Sequence, residues 1–440
     1  MLSRRCDLRN KTIIPQLLNQ HGAVLGLSGD AVIDLSTAEN CLLQKEIVHE
    51  IQEKSEGPFS GIIASDLCYS EGIGGSPIAR ERIATLVNRN FGPKTAVHPS
   101  HVVLAAGGSY ALEALVEQIC DPGDAVLIAA PYWAGLDLSL SIHNNAKVIP
   151  VHVPLEEFFT TDSLKYYEAA LEDTTVFVRA VLICNPNNPL GKCYPRDTLQ
   201  ATLDFCRQKN LHYISDEVYA LSLHTGSENQ TQSPGFISAL SLENSDKLVH
   251  IIYSLSKDFG CSGIRLGALI SQSNDEVRIS AALSAHQQTS SVATLFAVQH
   301  LLTEKAVNLV KSESGAKLKS AYETIRRFMV ERNVEFVEAD SGIFIFAKLC
   351  PANDLDGEKK FGVQLNRHGL VLSSGTSYHF DQPGWYRICY GVPPPKLAEG
   401  LKRIDRALNS FHELMTEKKQ KRKSIDDTAL GDVREKRFKV

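Results

Sequence analysis

The 440-residue chain reads as an α/β protein, with a large domain built on a mostly parallel sheet covered by helices and a smaller α+β domain. Three observations carry that reading. Short apolar, β-branched runs alternate with helical patterns through the middle of the chain, the order expected of parallel strands with helices on both faces. Beyond about residue 305 the order changes to helix, hairpin, isolated strands and a closing helix. The length also exceeds what one simple core organises.

Taken in order, "VVLAA" leads into "GGSYALEALVEQICDPGD", whose apolar residues recur at helical spacing before a Pro-Gly stop. The strands "AVLIAAP" and "KVIPVHV", the helix "SLKYYEAALED" and the strand "VFVRAVLICNP" follow. Next come the helix "PRDTLQATLDFCRQKN" and the strands "LHYISDE", "KLVHIIYS" and "LGALIS". An interrupted helical stretch over 275–304 closes the large domain, expected at 60–304. In the small domain, expected at 305–415, "KSAYETIRRFMVERN" is a helix and "VEFVEADSGIFIFAKL" a hairpin. "GLVLSSG" and "WYRICYG" are further strands, and "AEGLKRIDRALNSFHELM" is an amphipathic closing helix. Residues 1–59 are expected to join the small domain, and 416–440, which lack apolar periodicity, to form a disordered tail.

Composition excludes several classes. Hydrophobic residues at 43% and charged residues at 22% describe an ordinary globular protein, and a net charge of −5 predicts no broad affinity for nucleic acid or acidic membranes. No apolar run approaches the ~20 residues that cross a bilayer, and the N-terminus lacks the apolar core of a secretory signal. The ten cysteines are scattered, none as C-x-x-C, and several sit in apolar strands, so reduced thiols in a cytoplasmic setting are expected. The basic clusters of the tail are either a nuclear address or a solvated end. No zinc-ligand spacing is present.

In open α/β sheets, ligands sit outside the carboxyl ends of the strands. Gly107, Gly108 and Ser109 follow the first large-domain strand; Pro131, Tyr132 and Trp133 follow the next. "NPNNPLG" (185–191), then Asp216, Glu217 and Tyr219, then Ser254, Ser256 and Lys257 follow later strands, with Arg265 eight residues beyond the lysine. Each has an ordinary alternative. "GGS" can be a tight turn with Ser109 as N-cap, or an anion seat at a helix N-terminus. Trp133 can be core packing, Asp216 a helix cap, "NPNNPLG" a turn, and Arg387 in "GWYRICYG" a surface ion pair. Together they line one rim.

With "STAEN", "NPNNPLG", "SDEVYA", "YSLSKDFGCSGIRLG" and "SSGTSYHFDQPGWYRICYG" in this order, the chain resembles the fold-type I, pyridoxal-phosphate-dependent class I/II aminotransferases. Within them it is most similar to the 1-aminocyclopropane-1-carboxylate (ACC) synthase group, over roughly residues 32–408. The resemblance implies a seven-stranded-type sheet and pyridoxal 5′-phosphate as cofactor. It implies Lys257 as the Schiff-base lysine and Cα base, Asp216 as partner of the pyridinium nitrogen, and Asn188 and Tyr219 as donors to the ring's phenolic oxygen. Trp133 would stack on the ring, and Gly108, Ser109, Ser254 and Arg265 would hold the phosphate. Arg387 would grip the substrate α-carboxylate. Glu39, in "STAEN", matches a substrate-side glutamate typical of ACC synthases. Tyr69 matches a tyrosine that reaches the phosphate of a second subunit, which implies a homodimer.

The reaction is less determined than the cofactor. Ser262 stands where ACC synthases tend to have proline, "PYWAG" where they carry paired tyrosines, and "NPNNPLG" where they have "NPSNPLG". These departures favour a divergent enzyme of specialised metabolism that acts on another free α-amino acid, by amino transfer or C–S cleavage. True ACC synthesis from S-adenosylmethionine is the second reading. A ligand sensor or pseudoenzyme is the third, with some thirty residues before "VIDLSTAEN" expected to be too few for a DNA-binding domain.

Overall fold

The computed structural model describes residues 32–38, 40–53, 73–224 and 235–437. Its strands in chain order are β1 (Ile33–Asp34), β2 (Val102–Ala105), β3 (Ala125–Ala130), β4 (Lys147–His152), β5 (Val178–Cys184), β6 (His212–Asp216) and β7 (Val249–Ser254). They continue with β8 (Gly267–Ile270), β9 (Phe336–Val337), β10 (Phe344–Lys348), β11 (Leu370–Val371), β12 (Ser373–Ser374) and β13 (Trp385–Cys389). Seven of them form one sheet in the order β2-β8-β7-β6-β5-β3-β4. Only β8 runs against its neighbours, because the link from β7 holds the Lys257 turn instead of a crossover helix.

The alternation along these strands explains why helices cover both faces. In β3, Ala125, Leu127 and Ala129 pack into one core, while Val126, Ile128 and Ala130 pack into the other. In β2, Val102 and Leu104 part from Val103 and Ala105 in the same way. A strand buried on both sides has apolar residues at every position, which is the run pattern seen in the sequence. Pro150 is accommodated because β4 is an edge strand.

A second core joins the helix Gly315–Glu331, the antiparallel sheet β12-β13-β10-β9 and the closing helix. Ile33 and Leu35 belong to it, and β1 pairs in parallel with β11 through Ile33–Leu370 and Asp34–Val371. Leu43 and Ile47, a few residues on, pack into the large core instead. The hand-over between cores differs from the 304/305 boundary read from the sequence. Ala306 and Val310 still pack with the large sheet and Leu318 with the small one, because nearly continuous helix from Glu304 to Glu331 spans the change.

The segment read as a disordered tail also differs. The closing helix is continuous from Pro394 to Arg437: Leu397, Leu401, Ile404 and Phe411 anchor its first turns in the small core, and the same helix runs on through the segment expected as a tail. No helix among the described residues is long and apolar enough to cross a membrane.

Ile214, fully buried at the centre of β6, tests the central sheet. Ile214→Ala is expected to cost about 2–5 kcal/mol. Val330→Ala, at a position 56% exposed, should stay within about 0.5 kcal/mol. Urea unfolding midpoints of the two variants check the contrast.

Candidate active site

Because β2, β3, β5, β6 and β7 run the same way, their carboxyl ends open on one side, facing β13 and β12 of the small sheet. Between the two lies a cavity of about 980 Å³. Gly108, Ser109, Trp133, Asn188 and Asp216 line it, as do Tyr219, Ser254, Lys257, Arg265 and Arg387. These are the residues expected at the strand ends and in "GWYRICYG". Glu39 and Tyr69 lie outside the described residues.

One end of the cavity presents groups that suit an anion. The helix Gly108–Ile119 has Gly107, not Ser109, as its N-cap, and no side chain closes its first turn. Its leading N–H groups therefore remain available to a phosphate. Gly107 has φ +90°, and a Cβ there would sit 2.4 Å from an Arg265 guanidinium nitrogen. The missing side chain is the space that Arg265 occupies. Arg265 itself, at φ 56°, donates to the carbonyls of Ser262 (2.9 Å) and Ala106 (3.0 Å). Ser254 caps the Lys257 turn by accepting from Ser256 N–H at 3.2 Å, and its hydroxyl donates to Ser256 Oγ at 2.8 Å.

Asp216 ends β6 beside Cys184, its lateral partner on β5. Its carboxylate touches the cavity but is otherwise surrounded by protein, and desolvation raises its pKa from 3.8 to about 6. The Val218 N–H and the charge of Lys257 pull it only part of the way back. Such a group calls for a cation, and the protonated nitrogen of a pyridine ring is one. Asp258 anchors the adjoining turn. It accepts from Ser222 Oγ (2.7 Å), Tyr253 OH (3.0 Å) and Leu221 N–H (3.1 Å), tying the Lys257 segment to the Tyr219 segment. Lys257 Nζ donates to the Ala38 carbonyl at 2.8 Å.

Arg387 crosses from β13, buried at 4% exposure. It donates to Asn188 Oδ1 at 2.9 Å and to the Ser36 carbonyl, while its Nε is buried without a partner. Phe344 and Tyr378 flank the guanidinium at 5.2 and 5.1 Å. Trp133 is 40% exposed at the cavity wall. Its indole fills the space a Cβ on Gly135 would need. Phosphate seat, buried carboxylate, lysine amine and guanidinium in one cavity are the donor set that pyridoxal phosphate and an amino acid require, so the residues fit that cofactor.

Several lining residues went unread in the sequence. Ser256 stood among the strand-end residues without a role. Tyr378, Thr376 and the helix Leu355–Arg367 line the small-domain wall; "SSGTSY" marked the first two only as part of the resemblance. Tyr132 and His379 also link the two halves. Their rings stack at 4.6 Å, and Asp137 accepts from Tyr132 OH (2.7 Å) and pairs with His379 Nε2 (2.5 Å). Residues so far apart in sequence carry no local signal of that contact.

Two outcomes follow from this geometry. Gly107→Ala should displace Arg265 and weaken cofactor retention about tenfold or more, read by titrating cofactor back into stripped protein. An acid whose pKa is raised in the folded state costs stability on ionising, so the cofactor-free protein loses stability as pH rises from 3.8 through about 6. Asp216→Asn should therefore melt higher than the parent above that range and converge with it below, followed by thermal melts across pH.

Comparison with known proteins agrees with the geometry. The family model "Aminotransferase class I and II" matches residues 30–404. "Probable aminotransferase tcpI" of Claviceps purpurea is 52% identical over 417 residues, 94% of this chain and 97% of that protein. "1-aminocyclopropane-1-carboxylate synthase 7" of Arabidopsis thaliana is 32% identical over 353 residues, 78% and 76% of the two chains. A Thermus thermophilus aspartate aminotransferase structure shares the fold at TM-score 0.70 and 20% identity, covering 92% of this chain and 99% of its own. The chain belongs to the class I and II aminotransferase family, with the fold-type I architecture and pyridoxal phosphate as its cofactor.

Proposed function

We propose that this enzyme removes the Cα proton of a free α-amino acid and completes either amino transfer or C–S bond cleavage in specialised metabolism. The observation that carries the reading is the meeting of Lys257 Nζ and the Arg387 guanidinium in one cavity, from two different sheets. Pyridoxal phosphate supplies an electron sink for the charge left at Cα. Arg387, flanked by two rings and fixed by Asn188, receives the α-carboxylate in a planar, two-pronged contact. That contact turns Cα–H toward Lys257, whose amine anchors the resting cofactor and then takes the proton.

Asp216 keeps the ring nitrogen protonated, and Asn188 and Tyr219 hydrogen-bond the ring's phenolic oxygen. Trp133 covers the ring face. Gly108, Ser109, Ser254 and Arg265 hold the phosphate. The working form is a cytoplasmic homodimer. Ring closure on S-adenosylmethionine is the second reading, supported by the similarity to proteins named ACC synthases.

Purified holoenzyme offered a 2-oxo acid with common amino acids, a cysteine S-conjugate and S-adenosylmethionine separates these routes. Pyridoxamine phosphate with a 2-oxo acid product marks transamination; pyruvate and ammonia mark C–S cleavage. ACC with methylthioadenosine would replace the first reading by the second. Lys257→Ala is expected to abolish the absorbance band of the lysine-bound cofactor, and turnover by that variant would overturn the proposal. Arg387→Ala should raise KM about tenfold or more through the lost carboxylate contact. An unchanged KM removes Arg387 from the substrate.

A further inference from the structure

The helix Leu355–Arg367 has two faces of different character. Phe361 and Leu365 point into the small core. Leu355, Lys359, Gly362, Val363 and Asn366, at helical spacing, line the cavity that also holds Lys257 and Arg387, with Leu365 at its edge and Glu358 beside them. The Glu358 carboxylate already accepts from Gly384 N–H (2.6 Å) and Thr376 Oγ1 (3.1 Å). Leu355 and Val363 remain 53% and 48% exposed there, an apolar pair that no described residue covers. Lys359 has no ion-pair partner among the described residues, so the face carries one available cation.

Gly362 is the informative position. Glycine is among the poorest residues for a helix interior, so its presence asks for a reason. Packing does not supply one: a Cβ at Gly362 would meet nothing within 4 Å, and its backbone is ordinary helix. The absent side chain leaves space, and that space belongs to the cavity. At about 980 Å³ the cavity is as large as pockets for drug-sized ligands, roughly 300–1,000 Å³. Cofactor and a compact amino acid would not fill it.

We propose that this helix face reads the substrate's side chain, and that it selects an α-amino acid whose side chain is bulky and mostly apolar with an anionic or acceptor group at its far end. Leu355 and Val363 cover the apolar body, Gly362 leaves room for it, and Lys359 meets the distal group. The inference rests on the proposed Cα chemistry and specifies its substrate class.

Three cysteine derivatives with one reacting centre test it in the holoenzyme: S-methyl-, S-benzyl- and S-(4-carboxybenzyl)-cysteine, each followed by ammonia release and by conversion of the cofactor absorbance. In Gly362→Phe, the kcat/KM ratio of the benzyl to the methyl substrate should fall about tenfold or more, since overfilling a pocket penalises the larger ligand. A ratio within about twofold of the parent overturns the proposal. In Lys359→Met, KM should rise about tenfold for the carboxybenzyl substrate relative to the benzyl one, and an equal effect on both overturns the role of Lys359. Gly362→Ala, whose methyl group meets no neighbour, should melt at or above the parent temperature, which keeps the claim testable if the phenylalanine variant does not fold. A lower melting temperature assigns Gly362 to packing and overturns the proposal. If the parent processes none of the three but turns over common amino acids, this inference is overturned and the Cα chemistry stands; if it turns over no amino acid at all, the Cα chemistry fails as well. Turnover without the specificity change sinks only this inference.

Discussion

The central sheet is buried on both faces, and that constraint organises the molecule. Every position along β3, β5 and β6 must be apolar or satisfied within the core, so reactive side chains can emerge only where strands end. Parallel direction brings those ends to one side. The Gly107 turn, Asn188, Asp216, Ser254 and Lys257 are neighbours for that reason, though more than a hundred residues separate the first from the last.

Electrostatics then separates the roles of buried acids. Asp216, Glu217 and Asp258 all have raised pKa values through desolvation, to about 6, 7 and 7. Glu217 and Asp258 each accept several hydrogen bonds from protein donors: Glu217 from Ser215, Ser238 and Ala239, Asp258 from Ser222, Leu221 and Tyr253. They brace the turns that follow β6 and β7. Among the described residues Asp216 accepts only a long bond of 3.4 Å, from Val218 N–H, and it faces the cavity. The acid left under-satisfied by the protein is the one available to a ligand cation.

The site is also a junction. Arg387 reaches Asn188 from the small sheet, and the Ala38 carbonyl from the N-terminal segment accepts from Lys257. The Tyr132–His379 stack with Asp137 also joins the two halves. A substrate held as proposed, between Arg387 and Lys257, would touch both cores at once. Their relative placement sets the geometry at Cα, where small displacements carry large rate effects.

The amino-acid sequence by itself determined the order of strands and helices, the glycine and asparagine turns, and the lysine and arginine placed after β7. These are local signals: periodicity, turn chemistry and strand-end position. It also pointed to Asp216, because an acid closing an apolar strand is conspicuous. Tertiary structure alone decided which residues share the cavity across the two sheets, since Arg387 in β13 looks locally like any strand arginine. It reversed β8, carried one helical run across the boundary between cores, and extended the closing helix where a disordered tail was expected. The wall formed by Leu355–Arg367 was likewise illegible, because an amphipathic helix does not reveal whether its outer face meets water or a cavity. Contacts between distant segments depend on how layers pack, and that packing is a property of the whole chain rather than of any stretch within it.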